Sequence, residues 1–187
     1  MIRYDILKTI APILKEKLVV CNIGSPSQEL YQLLDQPSNF YMFGTMGLCS
    51  SIGLGVALVQ DQPVIAIDGD GSVLTNLATL STIANNPADN FILLIVDNGS
   101  YGSTGDQPTY AGMATSLTEV ARACGCRNVV ECSAEETAAE LEKALSSGKM
   151  TIIISKCQPG NVNVSVIDDD PVNIASRFSN SIKELNS

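Results

Sequence analysis

The chain contains no histidine, and between Lys17 and Arg122 it contains no lysine or arginine. A mixed Cys/His zinc site is therefore excluded. An anion held by residues 18–121 must be met by backbone N–H groups, helix N-termini, a metal ion or another chain. The six cysteines show no CxxC spacing; Cys124 and Cys126 are the one close pair. They read as free thiols of a reducing cytosol that pack like small apolar side chains. No apolar run approaches the roughly 20 residues of a membrane helix, and residues 1–17 form a charged amphipathic stretch without a cleavable signal pattern. A cytoplasmic chain with no membrane partner is expected. Eleven basic residues against 20 acidic ones give a net charge of −9, which repels phosphate backbones and anionic membrane surfaces, so nucleic acid is not an expected partner. No internal repeat or low-complexity segment is visible.

What the sequence does have is apolar content, 45% against 17% charged in 187 residues, enough for one packed domain spanning 1–187. The runs at 18–20, 64–67, 91–96 and 152–154 are continuous, as strands covered on both faces require. A fifth short strand is expected at 128–131. Ser25-Pro26 with Gln28, Ser116 with Glu119, and Ser133 with Glu136 each offer an N-cap hydroxyl and a partner three residues on. The alternation of helix and strand predicts an α/β fold, a three-layer doubly wound sandwich on a mainly parallel sheet. Residues 47–59 place Gly47, Ser51 and Gly55 on one helical face, which suits either close backbone approach or plain packing on the sheet. Residues 160–187 change to polar, with acids at 168–170 before Pro171 and a helical pattern running to Leu185. They are expected to form a C-terminal helical extension capped by those acids.

The chemistry concentrates where the strand at 64–67 runs into Asp68-Gly69-Asp70-Gly71-Ser72 before a helical pattern at 73–84. In an open α/β sheet, ligands bind at the carboxyl ends of strands, facing helix N-termini. Glycine amides there can approach a phosphate, whereas Asp70 is a hard oxygen that a phosphate tolerates only with a cation between them. The pair implies a metal-bound diphosphate. The strand at 91–96 ends in Asp97-Asn98 within a second glycine-rich turn. One helix and one strand of chain separate the two turns, so the two strand ends are expected side by side.

GDGS followed at this interval by Asp97-Asn98 resembles the GDG…N signature of thiamine-diphosphate-dependent enzymes. The resemblance implies Mg²⁺ held by Asp70, Asn98 and the carbonyl of Ser100, with the amides of Gly71 and Ser72 on phosphate oxygens and Gly69 and Tyr101 beside them. Gly44-Thr45-Met46-Gly47 is similar to the loop that receives the cofactor's aminopyrimidine. By that similarity the Gly44 carbonyl accepts from the 4′-amino group, and Met46 is the apolar wedge that bends the cofactor into its reactive shape. An ordinary core methionine is the alternative reading. NIGSPSQELY at 22–31, NFYMFG at 39–44 and STGDQPT at 103–109 narrow the resemblance to the branch of decarboxylases acting on small 2-oxoacids with a second acidic head group. With a sulfonate head, that reaction belongs to coenzyme M biosynthesis. The similarity runs from about Arg3 to at least Cys157, and the tail beyond Gly160 is less diagnostic.

The resemblance covers only the diphosphate-binding domain. It implies an α subunit carrying the pyrimidine-binding domain and its activating glutamate, in a hetero-oligomer of at least α₂β₂. The isolated chain is expected to bind cofactor poorly and to decarboxylate nothing. No cationic residue is expected near the site, so groups that meet the acidic head are expected on the partner. The glycine-rich loop after Asn98 offers Ser103, Thr104 and Gln107 as substrate contacts, or else serves as a subunit contact. Sulfonate and phosphonate head groups remain open. A 2-oxoacid:ferredoxin oxidoreductase subunit shares the signature, but the cysteine spacing supplies no iron–sulfur set. A catalytically silent module would keep the fold, yet Asp70, Asn98 and Met46 are all intact.

Overall fold

The computed structural model describes residues 1–184, so Leu185, where the expected last helix ends, lies outside the described residues. Six strands form one parallel sheet: β1 (Leu18–Cys21), β2 (Asn39–Tyr41), β3 (Val64–Gly69), β4 (Phe91–Asp97), β7 (Val129–Ser133) and β8 (Thr151–Lys156). Their order is β2-β1-β3-β4-β8-β7, and every pairing is parallel. A separate hairpin pairs β5 (Ser100–Tyr101) with β6 (Gln107–Pro108). The chain leaves β1 to one side for β2 and returns past it to β3. The carboxyl ends of β1 and β3 therefore flank the switch point where ligands enter such sheets.

The continuous apolar runs do face two cores. In β3, Val64 and Ala66 join one layer while Ile65 and Ile67 join the other; in β4, Phe91, Leu93 and Ile95 alternate with Ile92, Leu94 and Val96. Helices α1 (Arg3–Leu14), α2 (Ser25–Leu33) and α7 (Thr137–Ser147) cover one face. On the other lie α3 (Cys49–Ala57), α4 (Asp70–Thr75), α5 (Ala78–Asn85) and α6 (Leu117–Ala123). The C-terminal α8 (Pro171–Glu184) packs against β2, with the Phe178 ring 5.5 Å from that of Phe40. Its start is capped by an acid as expected, the Val172 amide donating to Asp170 Oδ1 at 2.7 Å. All six cysteines are free thiols, and among the described residues no helix is long and apolar enough to cross a membrane.

Several local expectations needed the tertiary structure to correct them. β2 is only three residues long and begins with a polar residue. Asn39 is nevertheless fully buried, because its amide donates to the Leu34 carbonyl at 2.7 Å and to Tyr41 Oη at 2.8 Å. Ser116 caps α6, accepting from the Glu119 amide at 3.2 Å. Ser25 is instead the first residue of α2, with Gly24 (φ 79°) as cap. Ser133 closes β7, and Glu136 folds back onto its N–H and hydroxyl, 2.9 Å each. In α3, Gly47 precedes the helix and a Cβ at Gly55 would meet nothing. The close approach is at Gly53, where a Cβ would stand 2.8 Å from that of Ala66 and 3.0 Å from the Phe91 ring. The helix expected at 73–84 is two helices broken at Asn76, whose amide turns aside to the Gly47 carbonyl at 3.0 Å.

Candidate functional site

β3 and β4 lie side by side with Gly69 opposite Val96, so their ends deliver Asp70 and Asn98 to the same cleft. The cleft encloses about 750 Å³ including its open mouth. It is lined by Asn22 and Ile23 after β1, residues 68–72 at the end of β3 and just beyond it, Asn98 and residues 100–104 after β4, with Met46 on one wall and Arg3 on another. Local sequence accounts for the floor. Gly69 ends β3 in extended geometry and α4 starts at once with Asp70. A Cβ at Gly71 would collide with the Tyr101 ring, so only glycine lets that ring lie against the turn. Ser72 Oγ accepts from the Gly47 amide at 3.0 Å and reaches Asn22 Oδ1 at 3.3 Å, tying the 44–47 loop and the β1 end to the turn.

Three carboxylates are buried in this floor: Asp68 and Asp70 at 1% exposure and Asp97 at 3%. Asp97 is ion-paired to Lys156 at the end of β8 and accepts from the Gly99 amide at 3.2 Å, so it serves the turn. Asp70 accepts from the Thr109 hydroxyl through one oxygen. Burial raises its pKa to about 6, with nearby Asp97 adding to the rise and the Thr109 bond opposing it. Asp68 accepts from the Gly69 amide at 2.9 Å through Oδ1, while its Oδ2 is buried without a partner; burial also pushes this carboxyl to about 6. Asn98 Oδ1 accepts from the Ser100 amide at 3.0 Å, which curls the backbone after β4 back towards the cleft. The donors available, one carboxylate, one amide oxygen and a backbone carbonyl, are hard oxygens of the kind Mg²⁺ takes. The glycine turn beside them leaves room for phosphate oxygens. Residues and cavity fit a metal-bound diphosphate.

The expected residues separate into those in the cleft and those outside it. Met46, Gly69, Asp70, Gly71, Ser72, Asn98, Ser100, Tyr101, Ser103 and Thr104 line it. Gly44 and Thr45 are exposed and do not. Thr45 has φ 63°, a left-handed conformation that threonine resists, so the loop carrying Met46 is held in an uncommon shape. Met46 is 40% exposed, which sets aside the core-methionine reading. Gln107 bonds within its own hairpin to Thr104 and does not line the cleft. Ser103 bridges to Ser25, Oγ to Oγ at 3.1 Å.

The expectation of no cation near the site is corrected. Arg3, part of no motif and far in sequence from the turns at Asp70 and Asn98, lines the cleft wall. It is held by Glu29 at 2.8 and 2.9 Å. No local signal marks it, because its place depends on α1 packing beside α2 and α7 on one face of the sheet. Asn22 was also missed as a lining residue; its position directly after the strand at the switch point is the signal that could have found it.

The family model for the thiamine pyrophosphate enzyme C-terminal TPP-binding domain matches residues 22–155. Sulfopyruvate decarboxylase subunit beta of Methanocaldococcus jannaschii is 48% identical over 97% of this chain and 97% of its own length. A sulfopyruvate decarboxylase of Methanosarcina acetivorans is 40% identical over 97% of this chain, which spans 47% of that relative. Among solved structures, a thiamine diphosphate-dependent 4-hydroxybenzoylformate decarboxylase of Rhodococcus jostii RHA1 superposes with a TM-score of 0.71 at 20% identity. The match covers 87% of this chain and 33% of that one, a likeness of fold.

Proposed function

The chain belongs to the family of thiamine pyrophosphate enzyme C-terminal binding domains, and from that premise we propose that it is the diphosphate-binding subunit of a sulfopyruvate decarboxylase. The reaction converts sulfopyruvate and a proton to sulfoacetaldehyde and CO₂, a step of coenzyme M biosynthesis. The observation that carries the reading is the convergence of Asp70, Asn98 and the Ser100 backbone on one cleft at the ends of neighbouring strands.

Thiamine diphosphate, when bound, supplies the electron sink that lets a 2-oxoacid lose CO₂. Asp70, Asn98 and the Ser100 carbonyl would hold Mg²⁺. That ion would offset the diphosphate charge in a segment with no basic residue of its own. Gly71 and Ser72 amides would hold phosphate oxygens, with Gly69 and Tyr101 shaping the turn. The exposed Gly44, Thr45 and Met46 would face the aminopyrimidine, Gly44 accepting a hydrogen bond and Met46 wedging the cofactor. Ser103 and Thr104 are the proposed substrate contacts, while Gln107 lies outside the cleft and braces Thr104. Arg3 is bound on two nitrogens by Glu29, so its charge is largely neutralised. The cations that meet the sulfonate are therefore placed on an α subunit, together with the activating glutamate, in an assembly of at least α₂β₂. The enzyme would work in the cytoplasm.

The test is a steady-state assay of the chain co-purified with its α partner on sulfopyruvate, phosphonopyruvate and pyruvate, with and without Mg²⁺ and thiamine diphosphate. Preference for sulfopyruvate with a requirement for both additions is expected. Turnover by this chain alone, or turnover independent of the cofactor, overturns the reading. Met46→Ala in the complex should lower kcat more than cofactor affinity.

A further inference from the structure

The strap that follows Asn98 is weak on its own terms. It is a hairpin of two residue pairs, Ser100 with Pro108 and Tyr101 with Gln107, and its turn carries Gly105 at φ 118° and Asp106 at φ 57°. A two-stranded hairpin of this size is marginal in water. The Tyr101 ring nevertheless lies tightly against Gly71, at the turn whose amides would hold phosphate oxygens. Something outside the hairpin must hold it there.

Three ties reach it. Thr109 bonds Asp70, and Ser103 meets Ser25 at an exposed contact. The third comes from the C-terminal segment: Asn161 Nδ2 donates to the Gly102 carbonyl at 2.8 Å, and Asn161 Oδ1 accepts from Arg3 Nη2 at 2.6 Å. Arg3, 6% exposed, is gripped through Nε and Nη2 by the two oxygens of Glu29, which is fully buried and also accepts from the Val162 amide at 3.3 Å. A guanidinium can only donate and a carbonyl can only accept, so the asparagine amide has one orientation that satisfies both neighbours. A forked, buried ion pair leaves its members little rotational freedom. A Cβ at Gly102 would stand 3.0 Å from Asn161 Oδ1, so the strap backbone touches the asparagine directly.

We propose that Asn161, braced by the buried Arg3–Glu29 pair, is a positioning residue that pins the strap at Gly102 and so keeps Tyr101 seated on the phosphate-binding turn. The inference rests on the reading that this cleft takes thiamine diphosphate. It gives residues 161–162 a role in cofactor retention without contact with the cofactor.

Two variants in the reconstituted two-chain enzyme test it. Asn161→Asp keeps an acceptor for Arg3 and loses the donor to Gly102; Asn161→Ala loses both. Each should speed amide exchange at residues 101–106 in the cofactor-free complex by about tenfold and raise the half-saturating thiamine diphosphate concentration by a similar factor, the scale of one lost hydrogen bond. At saturating cofactor, kcat should stay within about twofold, and Tm should shift by only about 2–4 °C. Unchanged exchange in both variants overturns the pin. So does an effect of Asn161→Ala that Asn161→Asp lacks, since that pattern assigns Asn161 only to Arg3. Faster exchange with unaltered cofactor half-saturation overturns the link to cofactor retention. If the wild-type complex shows no cofactor-dependent decarboxylation, the functional reading fails, and amide exchange still decides whether Asn161 holds the strap.

Discussion

The interior of β3 and β4 and the floor that caps them are almost equally hidden from water, and burial does opposite things in the two places. Ile65, Leu93 and Leu94 are fully buried, and each stabilises the fold by roughly 1.5–3 kcal/mol through the apolar surface removed from water. A few residues along the same strands, Asp68 and Asp70 are just as enclosed, and there burial works against the ionised form. The interior makes the protein stable. The floor spends part of that stability to present carboxylate oxygens where a cation can share them.

The largest expected break in this comparison is functional. Asp70→Ala should cost the reconstituted enzyme about a thousandfold or more in cofactor-dependent turnover, on the scale seen when a key charge-stabilising group is removed. The chain should keep its far-UV circular dichroism. Loss of folding together with activity would make Asp70 part of the scaffold. In the interior the balance reverses. Leu93→Ala should destabilise the chain by about 2–5 kcal/mol in urea unfolding, while the turnover of the folded fraction in the reconstituted enzyme stays as in wild type.

Asp68→Asn sharpens the contrast, because here loss of a charge should help. Its folded pKa of about 6 lies above the ordinary value of 3.8, so ionisation costs stability in full above pH 6 and nothing below about pH 4. In the cofactor-free chain the variant should gain about 1–3 kcal/mol at pH 7.5. The gain should shrink as pH falls from 6 towards 4. A gain independent of pH would remove burial of the charge as its cause. The smallest effect belongs to neither region: Ser116→Ala removes the cap of α6 and should cost about 1 kcal/mol, without altering turnover.

Much of this was legible beforehand. Apolar runs without alternation at 64–67 and 91–96 read as strands covered on both faces, and the structure puts their alternate residues into two cores. DGDGS at the end of one strand and Asp97-Asn98 at the end of the next announced their chemistry locally, and both turns line one cleft. The misses have a common physical source. β2 was invisible because Asn39 is buried by hydrogen bonds to Leu34 and Tyr41, not by apolarity. The break at Asn76 depends on the Gly47 carbonyl, and residues 160 onward, polar and without a motif, gave no sign that Asn161 reaches the strap.

By itself the sequence determined the parallel, doubly covered sheet and singled out the acid, amide and glycine residues proposed to meet a metal-bound diphosphate. Those features follow from the period of apolar residues and from the conformational freedom of glycine beside acids, which act over a few neighbouring positions. Only the tertiary structure decided which buried carboxylate keeps an unpartnered oxygen, which takes Thr109 and which takes Lys156. It alone brought Arg3 to the cleft and joined it to Asn161, 158 positions away. Such pairings depend on where topology sets the ends of distant elements, and burial then makes each uncompensated charge find a partner or pay in stability.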